Sequence, residues 1–284
     1  IQRGAVTPSA YAGLAQAYYE LGNLDGTIRE SNNALTLDQN NALAWLQRGR
    51  AYLAQNQLDA ALNDFNQGLA REGQNIDLLV ARCTVHALLG DDGSAALDCD
   101  SALALDGQNG FALEQRGMIR ARAGDRAGAA EDFAEAITYE PTVYEAHYYL
   151  GLYALQEKRY NDAIRFLSRS IEIAPFLGKA YAARGVSYRI TGQWELAITD
   201  LERALDLVPE DVYSYYELGL SQRFLADQTY ETGDSVRAYD LYEVAADSLL
   251  AFLNASQPTD PFVPEARAAL GYVQDALNAI RQSP

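Results

Sequence analysis

A chain of 284 residues with 39 acidic against 22 basic side chains carries a formal charge of −17. A surface so negative repels phosphate backbones and anionic lipid, which excludes nucleic-acid and membrane-surface binding as bulk properties. Hydrophobic residues make up 49%, enough for a continuous core, and eight prolines without strand-like alternation point to an all-helical protein.

No apolar run approaches the roughly 18 residues needed to cross a bilayer, so no membrane insertion is expected in this segment. The chain opens at Ile1 with neither methionine nor a signal-like stretch. It reads as a trimmed or processed, soluble segment of a bacterial protein, with its compartment, cytoplasmic or extracytoplasmic, left open.

After a lead-in over residues 1–7, one pattern returns every 34 residues, in units that begin near Pro8, Ala42, Ile76, Gly110, Tyr144, Gly178 and Val212. The eighth position is always small: Ala15, Gly49, Cys83, Gly117, Gly151, Gly185 and Gly219. A second small position follows at Ala61, Ala95, Ala129, Ala163 and Ala197, with Thr27 as the outlier. A third falls at Ala34, Gly68, Ala102, Ala136, Ser170 and Ala204. Pro141, Pro175 and Pro209 close units four to six. Small residues let two antiparallel helices approach, large ones such as Trp45, Tyr52 and Phe65 fill the space around them, and Gly22, Gly90, Gly124 and Gly192 permit the turn between helices.

Over residues 8–254 this period and pattern resemble the tetratricopeptide repeat family. The resemblance implies a right-handed superhelical α-solenoid of about seven helix hairpins, each burying its open face on the next. The seventh unit (212–254) departs from it by keeping Leu218–Gly219 but delaying its turn to Gly233–Asp234. Inserting seven residues restores the register at Ala238, Tyr242 and Ala245, so this hairpin is expected to be longer and to project. Residues 255–263 read as a proline-rich linker. A capping helix over 264–284 then carries Leu270, Val273, Leu277 and Ile280 on one face.

Position seven of the unit is Arg48, Arg82, Arg116 and Arg184, and in those same units position 23 is Asp64, Asp98, Asp132 and Asp200. Unit five is apolar at both places, with Leu150 and Phe166, and unit one is mixed, with Leu14 and Glu30. These positions lie opposite each other across an antiparallel hairpin, so the pairs are expected to be structural clamps; a ladder reading an anionic ligand is the rival. Cys83 and Cys99 stand at positions 8 and 24 of unit three, where two packed small thiols or a disulfide both fit. His86 and His147 occupy places that are normally core. No HExxH or CxxC spacing and no phosphate loop occurs, so no enzyme activity, metal or cofactor is expected.

The resemblance further implies that first-helix positions 2, 5, 9, 12 and 13 line a concave groove. The lysine–asparagine pattern of relatives that grip a carboxylate tail is absent there. The groove is expected to be apolar and aromatic: Leu46, Leu53 and Val80, then Phe111, Met118, Tyr148 and Leu152, then Tyr213, Tyr216, Leu220 and Phe224. Arg50, Arg122, Lys179, Arg189 and Arg223 are interspersed, which suits a partner segment with some acidic character. The expected function is a non-catalytic scaffold holding a peptide or helix of another protein. The alternatives are self-association through the elongated seventh hairpin, with Tyr230, Tyr239, Tyr242 and Phe252 as candidates, and a regulatory module of a larger protein.

Overall fold

The computed structural model describes residues 7–282; the rest of the lead-in and the last two residues of the capping segment lie outside it. Among the described residues there are fifteen helices and no strand. They run α1 (Pro8–Glu20), α2 (Leu24–Leu37), α3 (Ala42–Ala54), α4 (Leu58–Leu69), α5 (Ile76–Leu88), α6 (Asp92–Leu105), α7 (Gly110–Arg122) and α8 (Arg126–Tyr139). There follow α9 (Tyr144–Gln156), α10 (Tyr160–Ile173), α11 (Gly178–Ile190), α12 (Trp194–Leu207), α13 (Val212–Glu231), α14 (Ser235–Ala255) and α15 (Val263–Gln282). The chain divides after Val143 into two units, the first holding α1–α8 and the second α9–α15.

In the first unit, four hairpins form from local signals. Asn41, Asn75 and Asn109 accept the backbone N–H of the third residue of α3, α5 and α7, and Asp91 and Asp125 do the same for α6 and α8. Position 15 of every regular hairpin, in both units, adopts a left-handed backbone: Gly22, Gly90, Gly124 and Gly192, with Asn56 (φ 59°) and Lys158 (φ 61°) in the same place. The second and fourth hairpins are each closed by one large side chain against one small one. A Cβ on Gly49 would meet Phe65 at 2.4 Å, and one on Gly117 would meet Phe133 at 2.7 Å. Phe65 and Phe133 are fully buried, each stabilising the fold by about 1.5–3 kcal/mol.

In the second unit the same closure pairs Gly151 with Leu167 and Gly185 with Leu201. The last hairpin is long: α13 and α14 have 20 and 21 residues, against 13 and 14 in α11 and α12. Gly219 faces Leu249, which a Cβ on the glycine would meet at 2.8 Å, and Tyr242 lies nearer the turn. The expected register is therefore corrected. Each helix gained seven residues, about two turns, so Leu249 rather than Tyr242 fills the closing place, and Ala245 takes the small position expected of Ala238. The extension is also not left projecting alone. α15 runs antiparallel along α14, from Val263 in the core shared with Phe252 to Arg281, whose Nε donates to the Tyr239 hydroxyl at 2.6 Å.

α15 packs on α14 and on α13 as α13 packs on α12 and α11. It begins at Val263, one residue ahead of the expected start, and buries Val263, Ala266, Ala269 and Val273 with Leu270, Leu277 and Ile280 beside them. Its Leu270–Gly271–Tyr272 repeats the Leu150–Gly151–Leu152 and Leu218–Gly219–Leu220 of α9 and α13. The helix thus packs on the last hairpin in the place that a first helix takes on the hairpin before it. Nothing lies within 4 Å of a Cβ on Gly271, because no second helix closes on it.

Candidate functional site

The first-helix positions expected to face inward fall into three groups. Leu46, Tyr216 and Leu220 are at most 5% exposed and belong to the core; Leu46 and Tyr216 are corrected as lining, while Leu220 keeps an edge on the cavity beside Arg223. Leu46 packs with Phe65, Leu78 and Val85, while Tyr216 and Leu220 sit among Tyr242, Leu249, Phe252 and α15, since the next helix closes over these positions. Leu53, Val80 and Leu152 are half-buried against core clusters and keep an open edge. Met118 is half-buried too, and the Gln115 amide rests 3.9 Å from its sulfur. Phe111 and Tyr213 are exposed, at 49% and 51%.

In the first unit these residues gather around a cleft of about 270 Å³. Leu53, Val80 and Phe111 give it an apolar surface, and Tyr19, Arg50, Asp77, Thr84 and Gln115 supply polar edges. Tyr19, Asp77 and Thr84 occupy positions 12, 2 and 9, which the repeat register could have flagged; Gln115 at position 6 carried no such signal. In the second unit, Lys179 stands 4.4 Å above the Tyr148 ring. Burial, aided by the neighbouring Tyr149, pushes the Tyr148 hydroxyl up to about 12. Phe224 stacks on Trp194 with ring centroids 6.1 Å apart. The linker before α15 folds back onto α13. Tyr213 donates its hydroxyl to Asp260 at 3.0 Å, and Phe262 packs against Tyr213 and Tyr216. Burial, with a hydrogen bond to Glu265, raises Tyr216 further above its ordinary range.

The inner cations do not offer free charge. Arg50 pairs with Asp77 at 3.3 Å, Arg122 with Asp92, Lys179 with Glu145 at 3.0 Å, and Arg189 with Glu217. Each acid sits in an adjoining helix or hairpin. These four cations are therefore paired within the protein. Arg223 differs. Its guanidinium lies 4.1 Å over the Phe224 ring and 5.3 Å over Tyr272, with no carboxylate among the described residues at ion-pair distance.

On the other side of the hairpins, four arginine forks close on four aspartates. Nε and Nη2 of Arg48 donate to Asp64 at 2.7 and 2.8 Å, and those of Arg82 to Asp98 at 2.7 and 2.6 Å. Arg116 reaches Asp132 at 3.0 and 2.7 Å, and Arg184 reaches Asp200 at 2.7 and 2.8 Å. The third nitrogen of each arginine, Nη1, reaches back to position 25 of the preceding hairpin: Asn32, Asn66, Asp100 and Ser168. This inter-hairpin contact was not anticipated, although it has a signal. Where Leu150 replaces the arginine, position 25 of the hairpin before is Ala134. Glu30 of the first hairpin instead accepts from Arg29 and Asn33.

Cys83 and Cys99, both fully buried, have sulfurs 2.11 Å apart, a disulfide at the place where five other hairpins set glycine against Phe or Leu. His86 lies 3.6 Å from Asp91 and 4.0 Å from Asp98, and His147 is buried with its ring tilted against Phe166. Among the described residues no group of three or more His, Cys, Asp or Glu side chains could hold a metal ion, and no helix is long and apolar enough to cross a membrane.

Two sequence models of the tetratricopeptide repeat match the chain, one over residues 13–77 and 115–177 and the other over 185–222. No curated protein sequence matches. Among solved structures the chain is similar to one in the APC/C hetero-tetramer Cut9–Hcn1, with a TM-score of 0.66 and 18% identity over 96% of this chain and 49% of that one. It therefore spans about half the length of that relative. It is also similar to pilF of Pseudomonas aeruginosa, with a TM-score of 0.62 and 18% identity over 80% and 96% of the two chains. PilW, a type IV pilus biogenesis factor, gives 0.59 and 18% over 74% and 96%. At such identities the likeness is one of fold.

Proposed function

We propose that this chain, which belongs to the tetratricopeptide repeat family, is a non-catalytic scaffold that holds a segment of another protein on the inner faces of its hairpins. The observation that carries this reading is the first-unit cleft, where Leu53, Val80 and the half-exposed ring of Phe111 form an apolar patch edged by hydrogen-bonding groups. An exposed aromatic beside aliphatic side chains is the usual anchor of a peptide or helix, and it adds apolar burial without needing free charge. The charge of −17 speaks against nucleic acid. The buried Cys83–Cys99 bond supports an oxidising compartment.

The test is capture of partners from the source organism's extract by a photo-crosslinking side chain at Thr84, read by mass spectrometry. A specific partner captured through Thr84 and lost on Phe111→Asp, but kept on Leu97→Asp at an exposed second-helix site, supports the reading. Equal loss with both, or none with either, overturns it.

A second reading is favoured by the tip of the last hairpin. Val236 is 77% and Tyr230 44% exposed there, beside a cleft lined by Val236, Tyr239 and Ile280. Self-association through this tip predicts a dimer by light scattering that Val236→Asp dissociates.

A further inference from the structure

We propose that Arg223 is the carboxylate-binding residue of the second unit's inner face, and that it takes an aspartate or glutamate side chain within a bound protein segment. The proposal rests on the scaffold reading above and names what the segment must carry. Arg223 borders a cavity of about 220 Å³ between α11, α13 and α15, floored by Leu220, Phe224 and Ala269 and edged by Arg189 and Glu265. Its guanidinium is held between the rings of Phe224 and Tyr272. Its Nε is shielded from solvent and has no hydrogen-bond partner. A shielded donor left unmet is a standing cost that a ligand oxygen would remove.

Two of the carboxylates near it, Asp227 and Glu217, are engaged elsewhere. Asp227 lies one turn along the same helix, at the spacing that normally forms an ion pair. It accepts instead from the hydroxyls of Tyr242 at 2.6 Å and Tyr272 at 3.0 Å. Those bonds also fix the Tyr272 ring on which the guanidinium rests. Glu217 is held by Arg189, and Glu265, which lines the same cavity, makes no ion pair with Arg223. In a chain of charge −17, an inner arginine lying against two rings, with the acid one turn along its own helix diverted, is arranged for an acid from outside. The planar fork matches a carboxylate, and its rigidity lowers the cost of binding.

The chain's own linker shows the form of segment that α13 accepts. Asp260 takes the Tyr213 hydroxyl at 3.0 Å, and Phe262, two residues on, packs edge-on against the same ring at 5.7 Å. An internal acid followed by an aromatic thus already lies on this face. The Arg223 cavity, with its apolar floor, offers the next such place along the same helix.

Three octapeptides test this: N-acetylated, C-amidated SQPTDPFV, its SQPTNPFV counterpart, and SQPTNPFV with a free C-terminal carboxylate. Binding is read from the fluorescence of Trp194, which stacks on Phe224. The wild-type chain is expected to bind the aspartate peptide about tenfold tighter than the amidated asparagine peptide. Arg223→Gln should abolish that ratio, and Arg223→Lys, which keeps charge without the fork, should give an intermediate one, both with unchanged helix content. If the first variant does not fold, a ratio lowered in the second still supports the proposal. Equal binding of the two amidated peptides, or a ratio unchanged in both variants, overturns it and leaves the scaffold reading standing. Recovery of tight binding by the free carboxylate assigns the site to a chain terminus and also overturns it. No binding of any peptide up to about 1 mM sinks the proposal too.

Discussion

Arg48 and Asp64, sixteen residues apart on α3 and α4, meet through two parallel hydrogen bonds of 2.7 and 2.8 Å, with the aspartate side chain 2% exposed. The same guanidinium stacks at 4.8 Å on Trp45 and reaches Asn32 in the hairpin before. One side chain therefore closes its own hairpin and ties it to its neighbour.

Removing the arginine strands a buried carboxylate. Arg48→Ala is expected to destabilise the chain by about 3–5 kcal/mol. Arg116→Ala should cost clearly less, because Arg120 Nη1 remains 2.9 Å from Asp132. The double change Arg48→Leu with Asp64→Phe copies the apolar pair Leu150 and Phe166 and should recover most of the loss. Urea unfolding followed by circular dichroism checks all three; additive single effects would argue against a clamp.

These pairs also show where sequence reading works and stops. Position 7 and position 23 vary together among the copies, so their meeting was legible from the chain alone. The third contact, to position 25, has a weaker signal: Ala134 precedes Leu150, but polar Glu202 precedes Leu218. The seventh hairpin misled because two insertions of seven residues leave two registers with small and large residues in suitable places; only packing of Leu249 on Gly219 separates them. The inner face was the least legible. Leu46, Tyr216 and Leu220 share their positions with open residues elsewhere, and burial there depends on how the next helix leans. Likewise, whether a cation such as Arg189 or Arg223 is free depends on which nearby acid another group has taken.

The disulfide makes the third hairpin conditional on redox state. Cys83 and Cys99 close a loop of sixteen residues, and a cross-link over about 15 residues stabilises by about 3 kcal/mol. Native protein should show no titratable thiol before reduction and two after denaturation with reductant. Its melting temperature should fall in dithiothreitol. Cys83→Gly with Cys99→Phe, which copies Gly49 and Phe65, should melt at the same temperature with and without it.

Glycines at one repeat position should respond in opposite directions. A Cβ on Gly219 would meet Leu249 side-chain carbon at 2.8 Å and its backbone nitrogen at 3.1 Å, so Gly219→Ala forces two helices apart and should cost about 1–3 kcal/mol. Gly271 stands at the equivalent place in α15 with nothing within 4 Å. Gly271→Ala should stabilise the helix by up to about 1 kcal/mol. Chemical denaturation of the two variants checks the sign of each; a loss in both would place a packing partner on α15.

Alkaline pH should weaken the second unit through its tyrosines. Burial raises the Tyr148 hydroxyl to about 12, and burial also raises Tyr216 and Tyr242, the latter helped by its bond to Asp227. An unfolded tyrosine ionises near 10. Below pH 10 both states keep the proton, and the full stability is present. Between 10 and 12 the unfolded chain has lost protons that the native state still holds, so stability falls as pH rises. With two lysines, Lys158 and Lys179, against nineteen tyrosines, tyrosines dominate the proton count in that range. The denaturation midpoint should hold steady from pH 7 to 9 and decline above about 10. Tyr148→Phe, which cannot ionise, should make the decline shallower; an unchanged slope would mean that Tyr148 titrates as if exposed.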